Sequence, residues 1–588
     1  MLPSRFRRLF ALLAITLVAN VAPVLAQRSQ VEPEQATGRV EKPLGQARTY
    51  MVSAANPLAV DAGVEILKAG GSAVDTAIAV QLVLNLVEPQ SSGLGGGTFL
   101  LHWDAKSAEI ATWDGRETAP ASAKPDRFLR DGRPLPFETV VHSGLSIGVP
   151  GTPRLLEAAH RAHGKLPWAR LFEPAIRLAD SGFPVSARLN MLLRQMGPDN
   201  FDAAARAYFF DATGTPHPVG HALANPAFAA TLKAVRDGGA DAFYSGAVAQ
   251  AIVAATAAAP NQAGDMSTTD LASYKVEPRS PVCTTYRLHR ICGMGPPSSG
   301  GLTTAQTLKL LEPFDLGHGA DAAFNSPALH LIAEAEKLAY ADRDQYIGDP
   351  GSVRVPPGML DPGYLGGRSK LIDPALAMPR PKAGRPPGVD ARLFGTDATR
   401  ESVGTTHVSI VDAAGNAVAM TTTIEAGFGS RVMAAGFLLN NQLTDFSFQP
   451  IDREGRPVAN AVGPGKRPRS SMAPTLVFDP SGRLMAVLGS PGGSRIILYV
   501  VKTVIALIDW ELDAQAASAG LNFGSRGDGF EIESNPALPT AAIIDAMRSR
   551  GHAVRPDEMT SGVHVVRIRR QGLEGGADPR REGIARGD

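Results

Sequence analysis

The strongest constraint on the fold is a change of texture at Gly404. Residues 350 to 404 are dense in proline, glycine and charge, as in "VRVPPGMLDPGYLGGRS" and "AMPRPKAGRPPGVDARLFGTDATRESVG". Such composition predicts irregular, exposed linker. Directly after it, "THVSIVDAAGNAVAMTTTIE" alternates apolar and polar side chains on both sides of "DAAGN". That pattern predicts a β-hairpin. An exposed linker therefore runs straight into a strand that belongs in a core.

The rest of the chain divides around this point. From about residue 150 to 345 helical spacing dominates, with "TPRLLEAAHRAHG" showing a threonine cap, an early proline and a glycine stop. "SPALHLIAEAEKLAYADRDQYIGDP" has the same grammar. The stretch from about Ser72 to Leu86 is apolar nearly all round, which requires cover on every side. After the linker, "GFLLNNQLTDF", "APTLVFDPSGRLMAVLGSPGG" and "GVHVVRIRR" read as strands. "RIILYVVKTVIALIDW" reads as a highly buried helix or strand. The class is α+β, helix-rich before Gly404 and strand-rich after it.

The N-terminus carries three arginines in "MLPSRFRRLF", then the apolar run "ALLAITLVANVAPVLAQ". Val24 and Ala26 suit cleavage after residue 26, so residues 1–26 read as a secretory signal peptide, with an uncleaved anchor as the alternative. Residues 27–45 are polar and read as disordered. The expected location is periplasmic or secreted. Net charge is +1, so no global field favours nucleic acid or an anionic membrane. The two cysteines, Cys283 and Cys292, flank a turn near Arg287; a disulfide and two free thiols both fit. Two cysteines cannot build a zinc site, and no HExxH or clustered His–carboxylate spacing is present, so neither metal nor cofactor is expected.

A cut before Thr405 would give it both a hydroxyl and a free α-amine. The amine's pKa of about 7.7–8 lets it act as general base for its own hydroxyl. Strand threonines are common, so the neighbourhood matters. In "GSPGGS" the amides of Gly492 and Gly493 sit on a turn after a strand, either a plain turn or an oxyanion-binding pair. Ser470 and Ser471 lie beside basic residues, and Asn441, Gln442 and Asp445 lie on a polar turn. "GLSIG" at 144–148 fits G-x-S-x-G, but the helix comes too late for a nucleophile elbow. "GLGGGTF" lacks the lysine and helix of a phosphate loop and reads as a close backbone approach.

Together these pieces resemble the γ-glutamyltranspeptidase (glutathione hydrolase) family from about Tyr50 to Arg581. The markers, in family order, are "GLGGGTF", "DGRETAP", "PPSSGG", "AEAEKLAYADRDQYIGDP", "TTHVSIVD", "NNQLTDF", "GPGKRPRSSMAPT", "GSPGGSR" and "ADPRREG". The resemblance implies an N-terminal-nucleophile hydrolase fold, an αββα sandwich of two antiparallel sheets between helix layers. It implies a precursor that cuts itself between Gly404 and Thr405 into a large subunit, 46–404, and a small one, 405–588, which stay paired as a heterodimer around one core.

By the same resemblance Thr405 is the nucleophile, Thr423 assists it, and Gly492 and Gly493 form the oxyanion hole. Arg116, Ser470 and Ser471 hold the substrate's α-carboxylate, and Gln442 and Asp445 receive its α-ammonium. Glu425 stands where many members carry asparagine, adding a second acid to that ammonium site. The implied activity is γ-glutamyl transfer from glutathione and related small molecules to water, an amino acid or a peptide. The alternatives are an acylase for β-lactam side chains, a poly-γ-glutamate-processing enzyme, or a non-catalytic γ-glutamyl peptide-binding protein.

Overall fold

The computed structural model describes residues 36–399, 401, 404–527 and 529–588. The expected signal peptide lies outside them. Two seven-stranded sheets form the centre. Their strands in chain order are β1 (Gly45–Ala47), β2 (Met51–Ala54), β3 (Gly97–Asp104), β4 (Glu109–Gly115), β5 (Glu277–Pro278), β6 (Val282–Tyr286) and β7 (His289–Gly293) before the linker. After it come β8 (Gly404–Val411), β9 (Ala417–Glu425), β10 (Thr475–Phe478), β11 (Leu484–Gly489), β12 (His564–Arg569), β13 (Gly572–Ala577) and β14 (Ile584–Gly587). The first sheet runs β14-β2-β8-β9-β3-β4-β5 and the second β1-β13-β12-β11-β10-β7-β6, antiparallel throughout. Each sheet mixes strands from both sides of Gly404, so neither segment has a complete sheet of its own.

Period-two alternation builds the layers. Val408, Ile410, Val418 and Met420 pack on one face with helices α1 (Pro57–Lys68) and α2 (Ala73–Val87). Val411, Ala417 and Ala419 turn to the other face, against Leu476, Val487 and Val565 of the second sheet. Helices α3 (Thr152–His163) and α4 (Glu173–Ser181) cover the far side of α2, which explains why all of Ala73–Val87 is buried. Ser72 caps α2 in a reciprocal box with Asp75, a device worth about 1 kcal/mol. Beyond the second sheet lie α5 (Gly300–Leu311), α6 (Ser326–Tyr346), α7 (Ile496–Ile508) and α8 (Ala514–Ala519). The ambiguous run "RIILYVVKTVIALIDW" thus resolves into α7, buried along its whole length. The result is the expected αββα sandwich.

Several expectations need correction. Residues 36–45 are not loose: Thr37 and Val40 donate backbone bonds to Arg580 and Pro579, at 3.1 and 2.9 Å. The linker is not uniformly irregular or exposed. It holds a helix, Pro362–Ser369, capped by Asp361, and Asp397 near its end is buried. In α3, Gly151 takes the cap position and Thr152 is the first helical residue. Cys283 and Cys292 face each other across β6 and β7 and are disulfide-bonded, with Cα atoms 4.1 Å apart. Arg287 and Leu288, both at positive φ, make the two-residue turn between them. Among the described residues no helix is long and apolar enough to cross a membrane.

Candidate active site

The site grows from one irregularity in the β8–β9 ladder. Gly404 pairs with Glu425 and Thr405 with Thr423, so Ile424 is an extra residue and the register shifts between Gly404 and Thr405. The bulge costs strain, since Glu425 adopts φ +82° without being glycine. It also turns the Gly404 carbonyl onto a side chain. Thr423 Oγ1 donates to that carbonyl at 2.7 Å, and accepts from Thr405 Oγ1 at 3.3 Å and from the Glu425 amide at 2.9 Å. Glycine is required at 404, because a Cβ there would lie 2.4 Å from the Glu425 carbonyl oxygen. Strand β2 pairs with β8 only from Val408 onward, so the Thr405 end projects past its neighbour.

Thr405, Thr423, Gly493, Arg116, Glu425, Gln442, Asp445, Ser470 and Ser471 line one cavity of about 20 Å³. These residues come from strands, loops and turns hundreds of positions apart. Gly492 lies beside Gly493 rather than on the cavity wall. Both have positive φ, +139° and +54°, and a Cβ on Gly492 would meet the Tyr499 ring at 2.6 Å. The turn they make leads through Gly493–Arg495 into α7, so the amide end of a thirteen-residue helix faces the cavity, which also touches Ile496. A helix N-terminus favours negative charge there.

Arg116 is almost fully buried and already engaged. Its Nη2 donates to Asp445 Oδ2 at 2.5 Å and to the Arg469 carbonyl at 3.0 Å, and its Nε to the Pro468 carbonyl at 3.2 Å. Gln442 Nε2 donates to the same Asp445 oxygen at 2.7 Å. Burial and the nearby Glu401 raise the Asp445 pKa, an effect only partly offset by Arg116 and by a hydrogen bond shared with Glu425. Asn441 Nδ2 holds the other side of this acid pair, donating to Glu425 Oε2 at 2.7 Å. Two buried carboxyls thus lie side by side, an arrangement that favours a cation near them.

The remaining motifs have structural roles. A Cβ on Gly96 of "GLGGGTF" would overlap the Thr423 carbonyl, at 1.9 Å, so the glycine loop lets β3 run tightly beside β9. Ser146 is buried and donates to the carbonyls of Val141 and Ser143, which rules it out as a nucleophile. His407 is buried between the hydroxyls of Thr421 and Ser409, its pKa held well below the usual value by burial and by His564.

The model of the family described as gamma-glutamyltranspeptidase matches residues 59–587. The chain belongs to the γ-glutamyltranspeptidase family. It is 37% identical to the glutathione hydrolase proenzyme of Bacillus subtilis over 518 residues, 87% of this chain and 86% of that one. It is 34% identical to the acylase ACY 1 proenzyme of a Pseudomonas species (strain V22), over 93% and 94% of the two chains. The cephalosporin acylase of Bacillus halodurans has the same fold, with a TM-score of 0.81 and 26% identity over 95% of this chain and 99% of that one.

In this γ-glutamyltranspeptidase-family chain the fold adds residues to the site that sequence reading missed. Glu401, from the linker, lines the same cavity and contacts Ser471, Arg343 and Arg469. The proximity of Glu401 to Thr405 was visible in sequence; the linker's composition hid its burial. Glu117 follows Arg116 directly and lies behind it, at 3.8 Å from its Nη1, fully buried with its pKa pushed up to about 8 by desolvation. A further group is remote in sequence and away from the cavity. His330, Glu334 and His552 converge, contrary to the expectation of no His–carboxylate cluster. Lys337 Nζ donates to Glu334 at 2.7 Å, His552 bonds His330 at 2.8 Å, and His330 Nε2 reaches the Asp373 carbonyl at 2.7 Å. With an ammonium inside it and its contacts complete, this cluster is a hydrogen-bonded brace.

Proposed function

We propose that the chain is a γ-glutamyl hydrolase and transferase that first cuts itself between Gly404 and Thr405. The supporting observation is the hydroxyl of Thr423, which joins the Thr405 hydroxyl to the Gly404 carbonyl. Thr405 Oγ1 adds to the Gly404 carbonyl carbon, its hydroxyl proton passes to the Thr405 nitrogen as the peptide C–N bond breaks, and an ester to Thr405 with a free amine remains. Water hydrolyses that ester, leaving a Gly404 carboxylate and a Thr405 that bears free hydroxyl and amine. The amine then takes the hydroxyl proton as Thr405 attacks a γ-glutamyl carbonyl. The oxyanion would form against Gly492 and Gly493 at the head of α7. Water or an amine releases the acyl group as glutamate or a new γ-glutamyl compound.

The acids of the pocket favour a γ-glutamyl over a glutaryl or other β-lactam side-chain substrate. A γ-glutamyl group carries an α-ammonium that can sit against the carboxyls of Asp445 and Glu425. A glutaryl group has none, and leaves buried polar groups without a matching charge at a cost of about 1–3 kcal/mol. The relatives named as acylases make this comparison the important one, and relative hydrolysis of γ-glutamyl anilide and glutaryl-7-aminocephalosporanate measures it. Intact mass of the wild type and of Thr405→Ala tests the cut itself. The wild type should give two chains, the second beginning at Thr405, and the variant one. An active, uncut wild type would sink the mechanism, and Thr405→Ala cleaving normally would do the same. We further propose export to the periplasm or medium, which the disulfide on β6 and β7 supports; a mature protein that begins near residue 27 is the expected result.

A further inference from the structure

Gly492 and Gly493 have no side chains, so the direction of their amides is set by whatever holds the peptides around them. A peptide is planar, and in its trans form the C=O and N–H point opposite ways. The Gly492 N–H therefore turns with the Pro491 carbonyl, and the Gly493 N–H with the Gly492 carbonyl. Both carbonyls are held. Ser490 Oγ donates to the Pro491 carbonyl at 2.8 Å and accepts from the Gly562 amide at 3.3 Å. The Arg495 amide donates to the Gly492 carbonyl at 3.1 Å. That amide shares its own peptide with the Ser494 carbonyl, which accepts from the Tyr340 hydroxyl. A line of two peptides thus runs from Tyr340 on α6 to the Gly493 amide. Packing alone does not fix this turn. Ser494 borders a space of about 270 Å³ that Tyr340 and Arg526 also line, so the turn has open volume on that side. Hydrogen bonds hold it there instead, from Tyr340 to the Ser494 carbonyl and from Arg526 Nη1 to Ser494 Oγ at 2.5 Å. Ser490 and Tyr340 are both buried. Burial holds the Tyr340 pKa well above its usual value, so its hydroxyl keeps the proton it donates.

We propose that Ser490 and Tyr340 are positioning residues for the amides of Gly492 and Gly493, Ser490 through the Pro491 peptide and Tyr340 through the two peptides that link it to Gly493. The inference rests on the reading of these glycines as the pair that meets the oxyanion in γ-glutamyl transfer. Each hydroxyl fixes the plane in which an amide hydrogen points. Each also polarises the peptides it holds, which makes the far N–H a stronger donor. Neither residue lines the cavity that holds Thr405, so neither touches the γ-glutamyl group before attack. Their effect falls on the tetrahedral state, where negative charge forms against the two amides. In self-cutting the Gly404 carbonyl is met by Thr423, so loss of either hydroxyl leaves maturation intact.

Tyr340→Phe and Ser490→Ala each remove one hydroxyl and keep the rest of the side chain's packing. The cut wild type and variants are compared in turnover of γ-glutamyl anilide and in calorimetric binding of two probes. One probe is L-glutamate. The other is the boronic acid analogue of glutamate, whose boron becomes tetrahedral on a hydroxyl. Each variant should lose about 10- to 100-fold in kcat, the scale of an ångström's misplacement at a reacting centre. Boronate binding should weaken by a comparable factor. KM and L-glutamate affinity should stay within about twofold of wild type, the pattern of an interaction made only in the transition state. A kcat within about twofold of wild type in either variant overturns the role given to that residue. A slower kcat with unchanged boronate binding does the same. So does a fall in L-glutamate affinity as large as the fall in kcat, because the whole pocket has then loosened. If Tyr340→Phe does not melt cooperatively, Ser490→Ala decides by the same criteria. A wild type that binds neither probe overturns the proposal together with the γ-glutamyl reading, a failure seen before any variant is made.

Discussion

Replacing Thr423 by valine should stall self-cleavage without unfolding the chain. A hydroxyl has one proton and two lone pairs. At Thr423 both lone pairs are used, by Thr405 Oγ1 at 3.3 Å and by the Glu425 amide at 2.9 Å. Its single proton is therefore committed to the Gly404 carbonyl, 2.7 Å away. That oxygen gains negative charge when Thr405 attacks. Loss of one donor to a developing oxyanion costs about 2.7–4 kcal/mol, or about 10²- to 10³-fold in rate. Valine keeps the shape and removes the donor. It also leaves the buried Glu425 amide without its acceptor, a separate stability loss of about 1–3 kcal/mol. Thr423→Ser keeps all three bonds and sets the control. Fresh precursor is followed by intact mass over time, with thermal melting in parallel. The expected order is wild type, then serine close behind, then valine slower by about two to three orders of magnitude. Cleavage of the valine variant within about threefold of wild type would refute the role given to this hydroxyl, because a lost oxyanion donor costs far more.

Three further outcomes follow from the same geometry. Glu117 is raised from 4.5 to about 8 by burial, so the fold keeps its proton while the unfolded chain releases it. Stability therefore falls as pH climbs between those values, by about 1.4 kcal/mol per unit, and Glu117→Gln should flatten the melting temperature from pH 5 to 8; an unchanged slope would contradict this. Glu425→Gln, which removes one of the two carboxyls facing the expected ammonium, should weaken binding of glutamate to the cleaved enzyme by about 10- to 100-fold. Calorimetric titration of wild type and variant reads it, and equal affinities would contradict it. Removal of both cysteines, Cys283→Ser with Cys292→Ser, opens a loop of nine-residue separation at the edge of the second sheet. Loop-closure entropy predicts a loss of about 2.5–3 kcal/mol in that hairpin, with activity retained.

What could be read from sequence was what is local. Period-two alternation and "DAAGN" specify the β8–β9 hairpin, and an all-apolar helix had to be α2, because each signal lies within one element. The roles of Arg116, Asp445 and Ser471 came from family resemblance, since 329 positions separate the first two and no local pattern joins them. The bulge at Ile424 had no signature either: the residue at positive φ is a glutamate, not a glycine. Glu401 was hidden for the opposite reason, because its surroundings in sequence advertise exposed linker.

These blind spots share a physical origin in the way the site balances charge. Arg116 is paired with Asp445, and Arg343 with Glu401 and Asp344; Asp445 shares a hydrogen bond with Glu425. Arg116 and Arg343 thus each meet a carboxylate from a distant segment, as the cost of an unpaired buried ion demands. A zwitterion offers both signs at once. On the proposed reading its ammonium would face Asp445 and Glu425 and its carboxylate Ser470 and Ser471, so that both charges are met. A ligand with only one of the two charges leaves one half of the site uncompensated. On the proposed reading, specificity for an α-amino acid head group rests on meeting both of its charges in one closed pocket.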